Sequence, residues 1–399
     1  MDHAKEIGQT EISLEAFDQI VSFIKRSGES KLTLVGGEPT MHRYFSTIME
    51  RLDSDPEIRQ VLLFTNGIIN KSSMDAILNH SRKVLISVNV LEPGDEPDCN
   101  KEQILRNLHK LRDAEIPFDL SYVIYKRDFN PDFLYEYIEK YDLESIRWAL
   151  AFPVVPEASF VPSNEIRSLG SKVTAMLRRF SDFGIRSYVD CPLPYCLFSD
   201  EELAFVSREA LSVINWGYCG LTLEINPDLT VKACPTQCEE ERISLSLFRN
   251  MKEMERYFFS RMTLYKAKHQ LFDECSTCSY FLKQSCQGGC LGYSSDRYVP
   301  SPLPMNFLNE LQPATPDTWV HPIPHLELQE KNSAYYIYST ASHQVEPEEI
   351  SAKEKEIWVN LANGALVEAL ENNAPEHGIT QPFLARLHRI GFVDIVQAQ

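Results

Sequence analysis

Leu32-Thr33-Leu34-Val35-Gly36-Gly37-Glu38-Pro39 is the stretch whose reading decides the fold. Its first four residues predict a buried strand, and that strand ends in two glycines, a glutamate and a proline. A second apolar run, Val61-Leu62-Leu63-Phe64, ends in Thr65-Asn66-Gly67. Paired glycines at a strand's carboxyl end let backbone approach a ligand where a Cβ would clash. The glutamate beside them can take a ligand's ammonium group. In α/β folds, small molecules bind at strand carboxyl ends. Taken alone, the motif is also an ordinary glycine turn of any α/β protein, so its meaning depends on the rest of the chain.

Outward from this stretch, residues 13–190 alternate helix and strand patterns. Ser13 can cap a helix whose apolar face is Phe17, Ile20, Val21 and Ile24. Strands are predicted at 32–35, 61–65, 84–89, 118–125, 145–150 and 185–189. Helices are predicted between them at 43–52, 71–78, 101–114, 132–140 and 164–182. Such alternation argues for a parallel sheet with right-handed crossovers.

The chain of 399 residues has room for two or three domains, and its 43% hydrophobic residues suffice for a full core. A net charge of −18 opposes a nucleic-acid partner, whose phosphates need a basic surface. No apolar run approaches the ~18 residues of a membrane span, so no membrane partner is expected. No secretory signal opens the chain, and a cytoplasmic location is expected. Ten cysteines in such a protein read as metal ligands or reactive thiols before disulfides.

With these residues in place, the chain resembles the radical S-adenosylmethionine (SAM) superfamily. The resemblance rests on the strand-GGEP motif at Gly36, Gly37, Glu38 and Pro39 and on the Thr65-Asn66-Gly67 turn. It implies a partial six-stranded (β/α) barrel of TIM-like type, with the GGEP residues and Asn66 around the SAM amino group. It further implies Ser87 as a polar contact to the SAM ribose. Val123-Ile124-Tyr125 falls on the adenine-contacting strand, with Ile124 as the contact residue, and Arg147 points to the same cleft if alternation holds. For Ser87, Ile124 and Arg147, ordinary packing or a surface charge is the competing reading.

The chain departs from the family at its start. The family's CxxxCxxC loop, which holds the SAM-cleaving [4Fe–4S] cluster, precedes GGEP, whereas the first cysteine here is Cys99. Either Met1 is internal to a longer protein, or the chain is truncated and cannot perform radical chemistry. The first reading is favoured, because a barrel lacking its first strand would expose unpaired backbone groups and an apolar face.

The second strong feature is Cys275-Ser-Thr-Cys278, followed after seven residues by Cys286-Gln-Gly-Gly-Cys290. Upstream lie Cys219 and, after the turn-forming Asn226-Pro227-Asp228, Cys234. Thiolates on tight turns are soft ligands for zinc or iron–sulfur clusters. The pattern resembles the SPASM or shorter twitch domains that hold auxiliary [4Fe–4S] clusters. By that resemblance Cys219, Cys234 and Cys290 would serve one cluster, and Cys275, Cys278 and Cys286 the other. The spacer is longer than usual in the family, and no cysteine follows Cys290. One cluster therefore has an open or unusual fourth ligand, or only one cluster is present. Cys191, Cys196 and Cys238 are spare candidates, with buried structural thiols as their default reading. The roles of these three and of Cys99 are not fixed by the sequence. A zinc ribbon is the alternative for the main set.

The proline-rich segment 298–318 reads as a linker. Beyond it, Leu326–Gln329 and Tyr335–Tyr338 alternate like a hairpin. Ser351 and Glu354 form a capping box before a helix with Ile357, Trp358 and Leu361 on its apolar face. Gly364 is placed to stop that helix. Phe383, Leu384, Leu387 and Ile390 line a further helix that stops at Gly391, before a strand at Phe392–Val396. This order resembles the winged-helix leader-recognition domains of PqqD type, which bind a precursor's leader peptide as an added strand. A DNA-binding winged helix is opposed by the acidic excess of residues 351–377. A plain structural cap is the other reading.

The expected architecture is therefore an α/β barrel over 1–190, a Cys-rich auxiliary-cluster domain over 191–297, the linker 298–318 and a winged-helix α+β domain over 319–399. The resemblance implies a radical SAM/SPASM-type maturase of a ribosomally made peptide or protein. A 5′-deoxyadenosyl radical would abstract hydrogen, and a reductant such as flavodoxin or ferredoxin would supply electrons. The alternative is a non-catalytic iron–sulfur or leader-binding protein of the same descent.

Overall fold

In the computed structural model, the described residues are 11–95, 97–151, 160–209, 222–234, 243–258, 271–283, 285–286, 288–290, 292–293, 318–322, 326–339, 347–362, 364–389 and 392–397. The chain divides into two compact units. The first comprises 1–220, 226–229 and 271–296, and the second 221–225, 230–270 and 297–399.

The first unit alternates helix and strand: α1 (Leu14–Arg26), β1 (Lys31–Leu34), α2 (Phe45–Ser54), β2 (Gln60–Thr65), α3 (Lys71–Asn79), β3 (Val84–Val90), α4 (Asp98–Asp113), β4 (Phe118–Ile124), α5 (Asp132–Tyr141), β5 (Ser145–Leu150), α6 (Gly170–Asp182), β6 (Arg186–Val189) and α7 (Asp200–Glu209). The six strands form one sheet in sequence order, every pair parallel. This is a partial TIM-like α/β barrel, as the alternation predicts. Parallel neighbours need a crossover, and α2 to α6 supply the five, while α1 precedes β1 and α7 follows β6. Ser13 caps α1 by accepting from the Ala16 N–H at 3.1 Å, and Phe17, Phe23 and Ile24 turn inward. One face of the sheet, with Val61, Leu63, Ile86, Val88, Leu120, Tyr122, Ile146 and Trp148, is buried in the core.

Three details differ from expectation. Strand 32–35 is not buried: β1 stops at Leu34, is flanked only by β2 among the described residues, and leaves Val35 54% exposed. β4 ends at Ile124, so Tyr125 lies beyond the strand, where its hydroxyl donates to Asp95. The helix expected at 164–182 is divided into a 3₁₀ turn at Ile166–Leu169 and α6 proper. The division falls at Gly170, where a Cβ would stand 2.0 Å from the Leu197 carbonyl oxygen. Close approach of that carbonyl admits only glycine and sets the point at which the tighter turn relaxes into α-helix.

In the second unit, β7 (Glu224–Ile225), β8 (Thr230–Lys232) and β9 (Ile243–Ser244) form a small antiparallel sheet. A second sheet holds β11 (Leu326–Lys331), β12 (Ala334–Ser339) and β13 (Glu348–Ile350). A third holds β10 (Thr318–Pro322) between β14 (Ala365–Leu366) and β15 (Val393–Gln397). Helices α8 (Ala352–Leu361), α9 (Val367–Asn372) and α10 (Thr380–Arg389) complete the unit. Val320, Ile337, Trp358, Leu361, Leu370, Phe383 and Leu387 form its core. The hairpin, the capping box at Ser351 and Glu354, and the stop at Gly364 (φ +83°) are present as read. Strand β10 was not foreseen; it begins at Thr318, inside the segment read as linker, whose other residues lie outside the described set. Ile390 and Gly391 also lie outside it. Glu348 accepts ion pairs from Arg256 at 2.7 Å and Arg386 at 3.2 Å, tying the helical turns at 251–258 to β13 and α10.

Gly170→Ala is expected to cost about 1–3 kcal/mol of stability through forced displacement of Leu197. Gly37→Ala, whose added Cβ meets nothing within 4 Å, is expected to stay within about 0.5 kcal/mol of the parent. Urea denaturation of the two variants checks this, and equal midpoints would contradict it.

Candidate functional site

Glu38 is built into the carboxyl ends of β1 and β2 at once. Gly36 (φ +148°) turns the chain out of β1, a conformation open to glycine. Glu38 then starts a 3₁₀ turn, Pro39–Met41, as its N-cap. Its Oε1 accepts from the Thr40 N–H at 3.1 Å, the Thr40 hydroxyl at 2.6 Å and the Thr65 hydroxyl at 2.8 Å. Its Oε2 accepts from the Asn66 N–H at 2.7 Å. The GGEP loop and the Thr65-Asn66-Gly67 turn are thus joined through one carboxylate. The turn is held from behind as well: Asn107 on α4, buried, donates to the Gly67 and Ile69 carbonyls at 2.9 and 3.1 Å. Asn66 folds its own turn, its Oδ1 accepting from the Ile68 N–H at 2.8 Å. Gly36 and Gly37 are exposed, and no protein atom lies within 4 Å of a Cβ built on either. The loop therefore keeps open space in front of its backbone, and no neighbour within the protein demands glycine at 37.

The face of the sheet opposite the helix-packed core carries polar groups in register. Phe64 pairs with Ser87 and Ser87 with Asp119, while Asn89 pairs with Ser121 and Ser121 with Arg147. Arg147 is ion-paired to Asp190, just past β6, and lies over the Phe64 ring, 5.2 Å from its centroid. Ser87 and Asp119 are 0% and 6% exposed, yet Ser87 Oγ, Asn89 Oδ1, Asp119 Oδ1 and Arg147 Nε have no hydrogen-bond partner. Burial pushes the Asp119 carboxyl up to about 6. The nearby Ser87 hydroxyl and the Arg147 guanidinium oppose this. Burial also raises Asp190, against the pull of Arg147. Buried polar atoms without partners are uncommon and suit a site that awaits a polar ligand.

Of the residues expected to hold a cofactor, Gly36, Gly37, Glu38, Pro39 and Asn66 are gathered at the strand ends, and Ser87 and Arg147 share the polar face. Ile124 does not join them. It is 0% exposed in the core, paired with Leu150, on the face opposite Ser87. Residues alternate along a strand, so Val123 has the parity that Ile124 was expected to have. Asp119, Asp190 and Asn107 were missed by the sequence reading. The signal for Asp119 was available: a lone acid inside an otherwise apolar strand two positions before Ser121.

The cysteines of 271–293 sit on tight turns. Cys275 lies in a 3₁₀ turn, Asp273–Thr277, and the Cys278 N–H donates to the Cys275 carbonyl at 3.2 Å. Gly288 N–H donates to Cys286 Sγ at 3.4 Å. Cys275, Cys286 and Cys290 are buried and Cys278 is half-buried. Burial raises the Cys275 thiol, and the Cys196, Cys286 and Cys278 thiols add to the effect. Cys196 is thus drawn in with the expected trio, and as a residue it is exposed rather than buried. Cys290 and Cys191 both neighbour Tyr293. Cys234, half-buried, belongs to the second unit, and Cys99 is exposed on α4. Cys219 and Cys238 lie outside the described residues. Among the described residues, no group of three or more His, Cys, Asp or Glu side chains is arranged to hold a single metal ion as it stands. No helix among them is long and apolar enough to cross a membrane.

The Asp119 environment makes stability depend on pH. Its folded-state carboxyl titrates near 6 and its unfolded one near 3.8, so between these values the folded chain holds a proton the unfolded chain has lost. Stability from this group is therefore full near pH 4, falls as pH rises to about 6, and is flat above. The loss is on the order of 3 kcal/mol. Asp119→Asn is expected to melt above the parent at pH 8 and close to it at pH 4. A pH-independent difference in Tm would contradict this.

Comparison with known proteins agrees with this geometry in its N-terminal part. The family model "Radical SAM superfamily" matches residues 2–133. A curated relative, GTP 3',8-cyclase of Alkaliphilus metalliredigens, is 26% identical over 138 residues, 32% of this chain and 43% of the relative. The same enzyme of Aeromonas hydrophila is 39% identical over 56 residues, 14% of this chain and 16% of the relative. The chain thus spans less than half the length of the curated relatives it matches. Among solved structures, anSMEcpe with bound AdoMet and a peptide is similar at 16% identity and a TM-score of 0.49, covering 70% of this chain and 81% of that one. Streptococcus suis SuiB bound to precursor peptide SuiA is similar at 12% identity and a TM-score of 0.49, covering 72% of this chain and 66% of that one. Residues 2–133 are thus similar to the radical SAM superfamily.

Proposed function

We propose that this chain is the SAM-binding and auxiliary iron–sulfur portion of a radical maturase acting on a ribosomally made peptide. The observation that carries the reading is the Glu38 carboxylate, which joins the GGEP loop to the Thr65-Asn66-Gly67 turn beneath two exposed glycines. The residues fit SAM. Gly36 and Gly37 offer open backbone, and Glu38 offers negative charge beside the place of an ammonium group. Ser87 and Asp119 offer unpartnered oxygens to hydroxyl groups, and Arg147 an unpartnered N–H to an anionic one. With a reduced iron–sulfur cluster, bound SAM supplies one-electron chemistry capable of breaking an unactivated C–H bond. The chain's own task is to orient the ligand and keep water from the polar face.

A peptide substrate is favoured over a nucleotide. A net charge of −18 repels a triphosphate and accepts a neutral or basic peptide. The second unit adds support. Among the described residues β11 pairs only with β12, which leaves a strand edge that an extended leader peptide can join, as in PqqD-type domains. The Cys275–Cys290 turns, rich in soft donors, suit an auxiliary cluster.

The test is calorimetric titration of the chain with SAM and, separately, with GTP. Binding of SAM and not GTP is expected, and Gly37→Ala is expected to weaken it about tenfold, near 1.4 kcal/mol, with the urea midpoint unchanged. Absence of SAM binding by well-folded protein would leave a non-catalytic binding protein. GTP binding would move the reading toward the nucleotide chemistry named for its curated relatives.

A further inference from the structure

We propose that Cys196 is the fourth thiolate of an iron–sulfur site formed with Cys275, Cys278 and Cys286, an assignment that rests on the auxiliary-cluster reading above. Cys275, Cys278 and Cys286 supply three thiols, and a [4Fe–4S] cluster held by thiolates takes four. The fold brings a cysteine from 79 positions earlier in the chain than Cys275 to the same place.

Three contacts fix the 194–196 turn against the cysteine turns, and a fourth draws two of the cysteines together. Gly289 (φ +88°) packs so closely that a Cβ there would lie 3.0 Å from Pro194 Cδ. The Tyr195 ring meets the Tyr280 ring edge-on, with centroids 5.3 Å apart, and Tyr280 sits in the short helix that follows Cys278. Arg167 pairs with Glu274 at 3.3 Å, covers the Phe272 ring at 4.0 Å and reaches the Cys196 thiol. A Cβ on Gly288 would lie 3.9 Å from Cys275 Sγ, and the Gly288 N–H bonds Cys286 Sγ, so these two sulfurs flank one glycine. Cys275 then stands within electrostatic range of Cys196, Cys278 and Cys286 together, and Cys196 within range of Cys286.

The donor set is chemically uniform. Four thiolates suit a [4Fe–4S] cluster. Such a cluster interposes an iron between each sulfur and its centre, so its ligands stand farther apart than those of a single zinc ion. Gathered but unconverged thiols fit the wider group, and ligand binding itself draws such turns to their final positions. Arg167, paired with Glu274 and lying over the Phe272 ring, links the cysteine segment to the 3₁₀ turn at Ile166–Leu169. Cys196 is also the exposed member of the set, so its substitution would open the site to water.

The experiment uses the full chain, reconstituted anaerobically with iron and sulfide, and follows iodoacetamide labelling of each cysteine by mass spectrometry before and after loading. Iron and sulfide content and the visible absorbance report the cluster. Loading is expected to slow labelling of Cys196 at least about tenfold, together with Cys275, Cys278 and Cys286, while Cys99 labels unchanged. Cys196→Ser is expected to lose the visible absorbance faster in air than Cys99→Ser. A cluster that protects Cys275, Cys278 and Cys286 while Cys196 labels at its unloaded rate would overturn the assignment and leave the auxiliary-cluster reading standing. No iron uptake, or stoichiometric zinc in its place, would overturn both. The labelling arm uses the unaltered chain, so it does not depend on how the variants fold.

Discussion

The hydrogen bonds to the Glu38 carboxylate are the constraint on which the site depends. A parallel sheet fixes its strands along their length, but the loops at its carboxyl ends have no such ladder. Here one carboxylate gathers the Thr40 hydroxyl and N–H, the Thr65 hydroxyl and the Asn66 N–H. The network continues outward. Ser73 on α3 donates to the Thr40 carbonyl, and Asn107 on α4 to the Gly67 carbonyl. Bonds to a charged acceptor are stronger than neutral ones, and removing it would leave buried donors such as those of Thr40 and Thr65 unpaired. Glu38 is therefore a structural tie as much as a candidate ligand contact. The exposed glycines keep their position because the residue after them is anchored.

The two faces of the sheet divide the labour. The helix-packed face is apolar and holds the unit together, with Trp148 and Tyr122 fully buried in it. The other face carries Ser87, Asp119 and Arg147, with Asp190 paired to Arg147 just past β6. Asp119 in particular costs stability when ionised, since burial penalises its charge and Arg147 is shared with Asp190. A chain that places an acid there trades folding free energy for a polar surface inside an apolar frame, which is where function and stability commonly part.

Much of the fold was legible because periodicity reports burial. The six strands, the helices between them, the Ser13 cap and the capping box at Ser351 all follow from local patterns that tertiary packing did not overrule. Gly-Gly-Glu-Pro and Thr-Asn-Gly were legible as a pair, but their mutual hydrogen bonding was not, because the contact joins residues 27 positions apart. Ile124 was misplaced by one position, and in a strand one position exchanges faces. Gly170 divided an expected helix through a carbonyl from Leu197, a neighbour no local window contains. The packing of the 194–196 turn on the cysteine turns was hidden for the same reason, since Pro194 meets Gly289 and Tyr195 meets Tyr280 far along the chain.

The turns of 271–293 show why cysteine placement here depends on the barrel. Among the described residues of this segment, regular structure is short, with a 3₁₀ turn at Asp273–Thr277 and a four-residue helix at Ser279–Leu282. What positions it comes from the first unit: Pro194 against Gly289, Phe272 under Arg167, and the Tyr293 hydroxyl donating to the Ala151 carbonyl past β5. A segment whose regular structure is this short gains order from such contacts or from a bound cluster. The barrel's carboxyl-end loops therefore act at two places in the fold. One is the glycine loop fixed by Glu38, and the other is the 194–196 turn, which packs on the cysteine turns through Pro194 and Tyr195.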